Sequence, residues 1–401
     1  MSIIGNNIWE LIKFVDWLVF AFVALTVIYL LVFAIAAQFE RRTSTIAKAK
    51  RYNRFIVLIP AYKQDKVILQ STNAILGQSY PQRMFDVLVI SDHESEMTNM
   101  KLAQLPITLL TPNFEKSSKA KSLQYAILNL PQYKIYDAVV VLDADNIVEP
   151  EFLDQMNDAL EMSGTKAIQA HRLSKNLDTA SARFDAIFEE VNTSIFRRGH
   201  ITLGFSSAIN GSGMAYDFEW FKTNIMKVTT QGEDKEMEAL LLRDGIFIDF
   251  FNDILVYDEK TRSGKDFKSQ RGRWATTQLH ALISNLKYIP AALFNRNYDF
   301  IDKMIQWALI PRTILMGIIL VPSLLYPFIY FSMAIKWWIA AVVVLFAFAL
   351  ATPNYLVGKN WDRDFLYAPV ITLWGLLHIF TVGRGEAHQR LSFFRRLFKR
   401  K

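Results

Sequence analysis

From Trp17 to Ala37 the chain runs twenty-one positions without a charged side chain. About 20 apolar residues in a helix span the hydrocarbon core of a bilayer. A core helix of a soluble domain rarely runs that long without a polar face. A secretory signal would be followed by a small-residue cleavage site. Here Glu40, Arg41 and Arg42 come next, then Lys48, Lys50, Arg51 and Arg54. The run therefore reads as a membrane anchor. The basic cluster after it places the N-terminus outside and the following residues in the cytoplasm, at an inner (plasma) membrane.

Three more uncharged runs lie near the other end: Thr313–Ile335, Trp337–Gly358 and Phe365–Gly383. Only Lys336 separates the first two, which predicts a tight hairpin there. Residues 384–401 hold seven basic groups and one acid, which is +6 of the chain's net +7. A nucleic-acid binder spreads such charge over a face with exposed aromatics. A basic terminus beside apolar segments instead suits an anionic lipid surface, and Leu391, Phe394, Leu397 and Phe398 recur at roughly helical spacing. So no nucleic-acid partner is expected. Three C-terminal crossings would leave this tail outside, against the charge rule. One run, the first with Pro322 and Pro327 or the short third, is thus expected to be re-entrant or interfacial.

Between the membrane ends lie about 270 residues of mixed composition, enough for one large domain. The chain has no cysteine, which excludes a disulfide scaffold, a thiolate metal site and a cysteine nucleophile. Short apolar runs alternate with helical patterns. Phe55–Ile59, Asp86–Ser91, Ile107–Leu110, Ala138–Leu142 and Ala167–Ala170 read as strands. Lys66–Leu76, Ser117–Leu130 and Glu151–Glu161 read as helices. The alternation predicts an α/β fold with a doubly wound, mostly parallel sheet. Ligands of such sheets bind at the carboxyl ends of the strands. The residues there are Tyr62, Asp92 and Asp143–Ala144–Asp145. Neither a Gly-x-Gly-x-x-Gly after the first strand nor a P-loop is present, which argues against a dinucleotide oxidoreductase and a P-loop ATPase.

Asp143 and Asp145 close the most apolar strand, where an unpaired carboxylate is costly. Two such groups facing one cleft suit a hard divalent cation with a diphosphate, although an Asp-x-Asp alone is more often a solvated acidic turn. Glu233–Asp234 opens an amphipathic helix. Acids there suit the helix dipole, and one of them also suits a general base. Gln270–Arg271–Gly272–Arg273–Trp274 reads either as an interfacial basic patch or as an arginine for diphosphate oxygens beside an aromatic face.

Taken in order, Ile59–Pro60–Ala61–Tyr62, Asp92, Lys119 with Leu123, Asp143–Ala144–Asp145, Glu233–Asp234 and Gln270 with Arg273–Trp274 resemble the membrane-bound family 2 glycosyltransferases. These include the cellulose, chitin, hyaluronan and poly-N-acetylglucosamine synthases. The resemblance covers Tyr52 to Trp274 in detail and the membrane parts in layout. It implies a cytoplasmic GT-A-like fold flanked by transmembrane helices. It also implies Tyr62 and Asp92 on the nucleobase and ribose of a nucleotide sugar, Lys119 and Asp143 on the diphosphate, and Asp145 as the ligand of Mg²⁺ or Mn²⁺. Asp234 becomes the base, with Glu233, Gln270, Arg273, Trp274, Gly211 and Ser212 on the acceptor and leaving-group side. The implied organisation is an anchor over 1–40, the transferase domain over 41–270 and interfacial helices with Gln-x-x-Arg-Trp over 271–312. Transmembrane helices over 313–383 and a basic interfacial tail over 384–401 complete it. The chain departs from its relatives at His93–Glu94–Ser95–Glu96 and at Ser118, Ser122 and Gln124, which bear on the base and sugar contacts.

The expected activity is inverting, metal-dependent transfer from a nucleotide sugar, UDP-linked by analogy, to a growing cell-surface polysaccharide. A membrane-lipid acceptor giving a glycolipid is the alternative. A noncatalytic nucleotide-binding membrane protein is the third reading. Membrane lipids are expected partners, and a homo-oligomer is compatible with all three.

Overall fold

The computed structural model describes residues 3–39, 47–131, 133–230, 232–260 and 276–357. Gln270, Arg273 and Trp274, the apolar run Phe365–Gly383 and the tail 384–401 lie outside the described residues. Two compact units form. One runs from Phe33 to Ala308, and the other combines the chain through Val32 with the chain from Leu309.

The Phe33–Ala308 unit is built on an eight-stranded sheet. Its strands are β1 (Phe55–Tyr62), β2 (Phe85–Asp92), β3 (Thr108–Leu110), β4 (Ala138–Val141), β5 (Ile147–Val148), β6 (Ala167–Ser174), β7 (Met214–Asp217) and β8 (Ile248–Asp258), ordered β3-β2-β1-β4-β7-β6-β8-β5. Side chains alternate across a strand. Ile56 and Leu58 of β1 therefore face one layer, and Phe55, Val57 and Ile59 face the other. All five are essentially inaccessible to solvent, and each such side chain stabilises the fold by about 1.5–3 kcal/mol. The helices Lys119–Leu128, Phe218–Ile225 and Glu233–Arg243 cover the first face, and Ile68–Leu76 and Phe152–Ser163 cover the second. Ser95, Ser118, Thr179 and Asp217 cap helix N-termini through their side chains.

The sheet is less parallel than the sequence pattern predicts. β3-β2, β2-β1, β1-β4 and β6-β8 pair parallel, whereas β4-β7, β7-β6 and β8-β5 pair antiparallel. β7 is the cause. Its four residues, Met-Ala-Tyr-Asp, give no apolar run for a periodicity argument, and it returns antiparallel between two strands of the other direction.

The second unit contains the first part of the helix Ile3–Ala36 and the helices Arg312–Ile329 and Phe331–Ala351. Three helices, including the stretch Ile8–Phe39, are long and apolar enough to cross a membrane. The hairpin predicted at Lys336 turns instead at Tyr330, whose backbone is extended (φ −157°, ψ 92°). Lys336 lies inside the second helix and forms an ion pair with Asp16. The other Asp16 oxygen accepts from the Tyr326 hydroxyl (2.8 Å) and from Trp337 Nε1 (3.0 Å). A charge in an apolar run reads as a boundary in sequence, but a matched pair is tolerated within a bundle. Pro327 cannot donate to the Ser323 carbonyl, as an ordinary residue in its place would. Trp338 Nε1 of the next helix supplies that hydrogen bond at 2.9 Å, and apolar surroundings require such a replacement.

Candidate active site

Strand direction gathers the polar residues. β1, β2 and β4 are parallel, so Tyr62, Asp92 and Asp143 all follow or end strands at one edge of the sheet. Tyr62 and Asp92 are register partners. The next residues, Lys63 (φ 56°) and His93 (φ 63°), both adopt the left-handed region, which side chains other than glycine rarely enter. These turns leave the Tyr62 ring exposed and set edge-on to His93, with centroids 5.7 Å apart. Asp92 is buried; its Oδ1 lies 2.5 Å from His93 Nδ1, and its Oδ2 has no hydrogen-bond partner among the described residues. Such an orphaned oxygen is poised for a donor from a ligand. The unusual His93–Glu94–Ser95 stretch ties the two turns together: Glu94 accepts from Gln64 N (2.6 Å), and Asp65 accepts from Ser95 N (2.9 Å).

Lys119 is the first residue of its helix, and its ammonium is the hub of the site. It forms an ion pair with Asp143, donates to Gly211 O (2.6 Å) and approaches Glu233 Oε1 at 3.8 Å. Asp143, Glu233 and the Gly211 loop are thereby joined by one cation. Gly211 has φ +81°, and a Cβ there would lie 3.7 Å from Asp234 Cβ. Ser212 Oγ donates to Asn146 Oδ1. The same Asn146 oxygen accepts from Asp143 N (3.0 Å), while Asn146 Nδ2 donates to Asp145 (3.2 Å). Asn146 thus fixes the Asp143–Asp145 turn against the glycine loop. It is the functional neighbour that sequence reasoning missed, although its place directly after Asp145 was visible.

The electrostatics are dominated by burial. Desolvation raises the Asp145 carboxyl to about 6, helped by the nearby Asp143 and Asp258 charges and opposed by Arg172. Desolvation also raises Glu233 to about 7; Lys119 opposes that rise and adjacent Asp234 adds to it. Arg172, on β6, donates to Glu189 (2.8 Å) and lies 3.2 Å from Asp258 and 3.8 Å from Asp143. Lys260 forms ion pairs with Glu189 and Asp258. Neither Arg172 nor Lys260 was singled out from sequence, because each stands in an ordinary strand or loop context.

Among the described residues no three His, Asp or Glu side chains gather into one metal-holding group. The half-buried Asp145 is nevertheless a hard oxygen donor with too little positive charge beside it, which is the chemistry a divalent cation suits. Of the residues singled out from sequence, Lys119, Asp143, Asp145, Gly211, Ser212, Glu233 and Asp234 come together. Tyr62 and Asp92 form a second group on the same edge.

Over residues 53–277 the chain matches the family model described as glycosyltransferase like family 2. Among solved structures it is similar to the mannosyltransferase PcManGT from Pyrobaculum calidifontis, solved in complex with GDP-Man and Mn²⁺. That match has 15% identity and a TM-score of 0.52, and covers 82% of this chain and 98% of that one. It is also similar to residues 1–349 of S. aureus TarS in complex with UDP-GlcNAc, at 14% identity and a TM-score of 0.43. Coverage there is 80% of this chain and 89% of TarS, and the likeness is too loose to carry an argument. No curated protein matches the chain by sequence. The first likeness shows a shared GT-A-like fold, and the family match spans more than half of the residues, including both acidic motifs. The chain belongs to glycosyltransferase family 2 and is a glycosyltransferase.

Proposed function

We propose that the protein transfers a sugar, with inversion, from a nucleotide sugar to a growing cell-surface polysaccharide. It works as a multi-pass protein of the inner membrane with its α/β unit in the cytoplasm, and belongs with the polysaccharide-synthase branch of the family. The observation that carries the reading is the Lys119 hub, which brings Asp143 next to the Glu233–Asp234 pair across Gly211. Donor-side and acceptor-side groups then meet at one edge, as a single displacement requires.

In this reading Tyr62 offers a face to the nucleobase, and the free Asp92 oxygen accepts a donor from base or ribose. Lys119 and Asp143 orient the diphosphate. Asp145 would hold Mg²⁺ or Mn²⁺, which supplies positive charge to the leaving diphosphate. Asp234 takes the proton from the acceptor hydroxyl as its oxygen bonds to the anomeric carbon. The bond to the nucleoside diphosphate breaks on the opposite face, through an oxocarbenium-like state. The buried Glu233, favoured in its protonated form near neutral pH, keeps a second full negative charge away from the base. Gln270, Arg273 and Trp274 complete the acceptor side. The domain limits at 40, 270, 312 and 383 accompany this reading.

Transfer to a membrane lipid is the second reading. It is favoured by the small number of membrane-length helices, three among the described residues, few for enclosing a polymer. The test is incubation of membranes holding the protein with radiolabelled nucleotide sugars and Mn²⁺ or Mg²⁺. Label in polymer supports the first reading, label in an extracted lipid supports the second, and no label in either with any donor rejects both.

A further inference from the structure

We infer that Arg197 is a positioning residue. From a π-helical turn it fixes the loop 208–213 that faces Asp234, and the last turn of the N-terminal helix holds that π turn in place. The inference rests on reading the Asp234 edge as the transfer site.

Ser194–Gly199 is a π-helical turn between Ala180–Thr193 and His200–Thr202. Such turns are rare, and they concentrate at functional sites because they re-aim a side chain within a helix. Here Arg197 is only 3% exposed. Its guanidinium donates to Ala208 O (3.0 Å), to Thr193 Oγ1 (3.3 Å) and to Asn210 Oδ1. None of these acceptors is a carboxylate. A buried cation spent on neutral oxygens at both ends of one short loop is a clamp, and the rigid fork of arginine can span them where a lysine cannot.

The clamp leads directly into the site. Asn210 Nδ2 donates to Glu189 (3.1 Å), and Asn210 N donates to the buried Gln169 side chain (2.8 Å). The next residue is Gly211, which receives Lys119 and touches Asp234. A shift of Asn210 therefore moves the hub of the site and the wall beside Asp234. A 1 Å misplacement of such groups can cost about a hundredfold in rate.

The other side of the turn is pinned by residues 33–37, which belong to the same unit. A Cβ on Gly199 would meet Phe33 O at 2.2 Å, so only glycine fits. The Phe33 ring stacks on His200 at 3.7 Å and 6°. Arg198 donates to Ala37 O at 3.3 Å. The helix end thus holds the turn at Gly199 and His200, directly after Arg197.

Hydrogen–deuterium exchange of the full chain in nanodiscs tests this without needing a substrate. Arg197→Lys and Asn210→Ala are expected to speed exchange across 206–214 by about tenfold to a hundredfold, from the loss of a charge-assisted hydrogen bond. Gly199→Ala is expected to speed the same peptide. Turnover of all three should fall about tenfold or more, with the donor KM within about threefold. Asp234→Asn should lose turnover with exchange unchanged, so failure of the base assignment is distinguishable from failure of this one. Should Arg197→Lys not fold, Asn210→Ala leaves the π turn intact and decides. Unchanged exchange across 206–214 in Asn210→Ala and in any folded Arg197→Lys would overturn the clamp. A Gly199→Ala protein that loosens 33–39 and 194–202 but leaves 206–214 protected would overturn the role given to the N-terminal helix.

Discussion

Replacing Glu233 by glutamine should make the protein more stable above neutral pH. The side chain is 13% exposed, and burial lifts its carboxyl from 4.5 to about 7. At 1.36 kcal/mol per pKa unit, that shift corresponds to roughly 3 kcal/mol. The sign follows from where the proton binds more tightly. The folded pKa is raised, so the favourable contribution is fully present below about 4.5 and is lost as pH rises through about 7. Glutamine copies the protonated shape and never loses it. Glu233→Gln should therefore exceed the wild type by about 3 kcal/mol at pH 8 and by less than about 1 kcal/mol at pH 5. For a unit of this size, that is a rise of about 5–10 °C in melting temperature at pH 8. Thermal melting of the two proteins in one detergent at both pH values measures it. A difference that does not grow with pH would refute the reasoning, since it would mean that Glu233 ionises as readily folded as unfolded.

Asp234→Asn should abolish transfer by about 100- to 10,000-fold and leave nucleotide-sugar binding nearly intact; activity within a few-fold of wild type removes the base role. Asp145→Ala should weaken Mn²⁺-dependent nucleotide binding together with turnover, and unchanged nucleotide affinity with Mn²⁺ present would count against a metal ligand there. Asp16→Leu alone should destabilise the helical unit by about 3–5 kcal/mol by stranding Lys336, while Asp16→Leu with Lys336→Leu restores much of the loss; equal melting temperatures for the single and double variants would show that the pair is not coupled. A cysteine placed at Ser392 should resist a membrane-impermeant label applied to intact cells, and labelling from outside would put the basic tail on the external face.

The parallel half of the fold was legible because β1, β2 and β4 are continuous apolar runs, and buried parallel strands take that form. The acidic motifs were legible because charges at the ends of such runs stand out. β7 was not legible, since four mixed residues carry no period. Lys336 misled because a lone charge marks a boundary unless its partner is known, and Asp16 lies 320 positions away in sequence. Arg172, Asn146 and Arg197 were invisible for a related reason. Each acts through contacts made across the fold, and nothing beside it in sequence announces those contacts.

The reversal at β7 also explains why the acids concentrate where they do. Met214 pairs with Val141 and Gly213 N donates to Val141 O (2.9 Å), so the amino end of β7 meets the carboxyl end of β4. That brings Gly211 and Ser212 to the edge that already carries Asp143. β6 runs antiparallel to β7 and parallel to β8, so Arg172 and Asp258 arrive at the same edge. Six carboxylates (Asp143, Asp145, Glu189, Glu233, Asp234 and Asp258) then face three cations (Lys119, Arg172 and Lys260). A buried excess of one sign is costly, and the two carboxyls raised furthest toward neutrality, Asp145 and Glu233, are where it is relieved by proton uptake. The two relieve it differently. Glu233 lies beside the Lys119 ammonium and the Gly211 loop, so holding a proton lets it stay in place without repelling Asp234. Asp145 has Asp143 and Asp258 as its strongest charged neighbours, so a divalent cation competes there with a proton, and affinity for that cation should climb as pH rises through about 6. The charge imbalance that makes this edge unfavourable when empty is therefore also what gives it affinity for a metal-bound diphosphate.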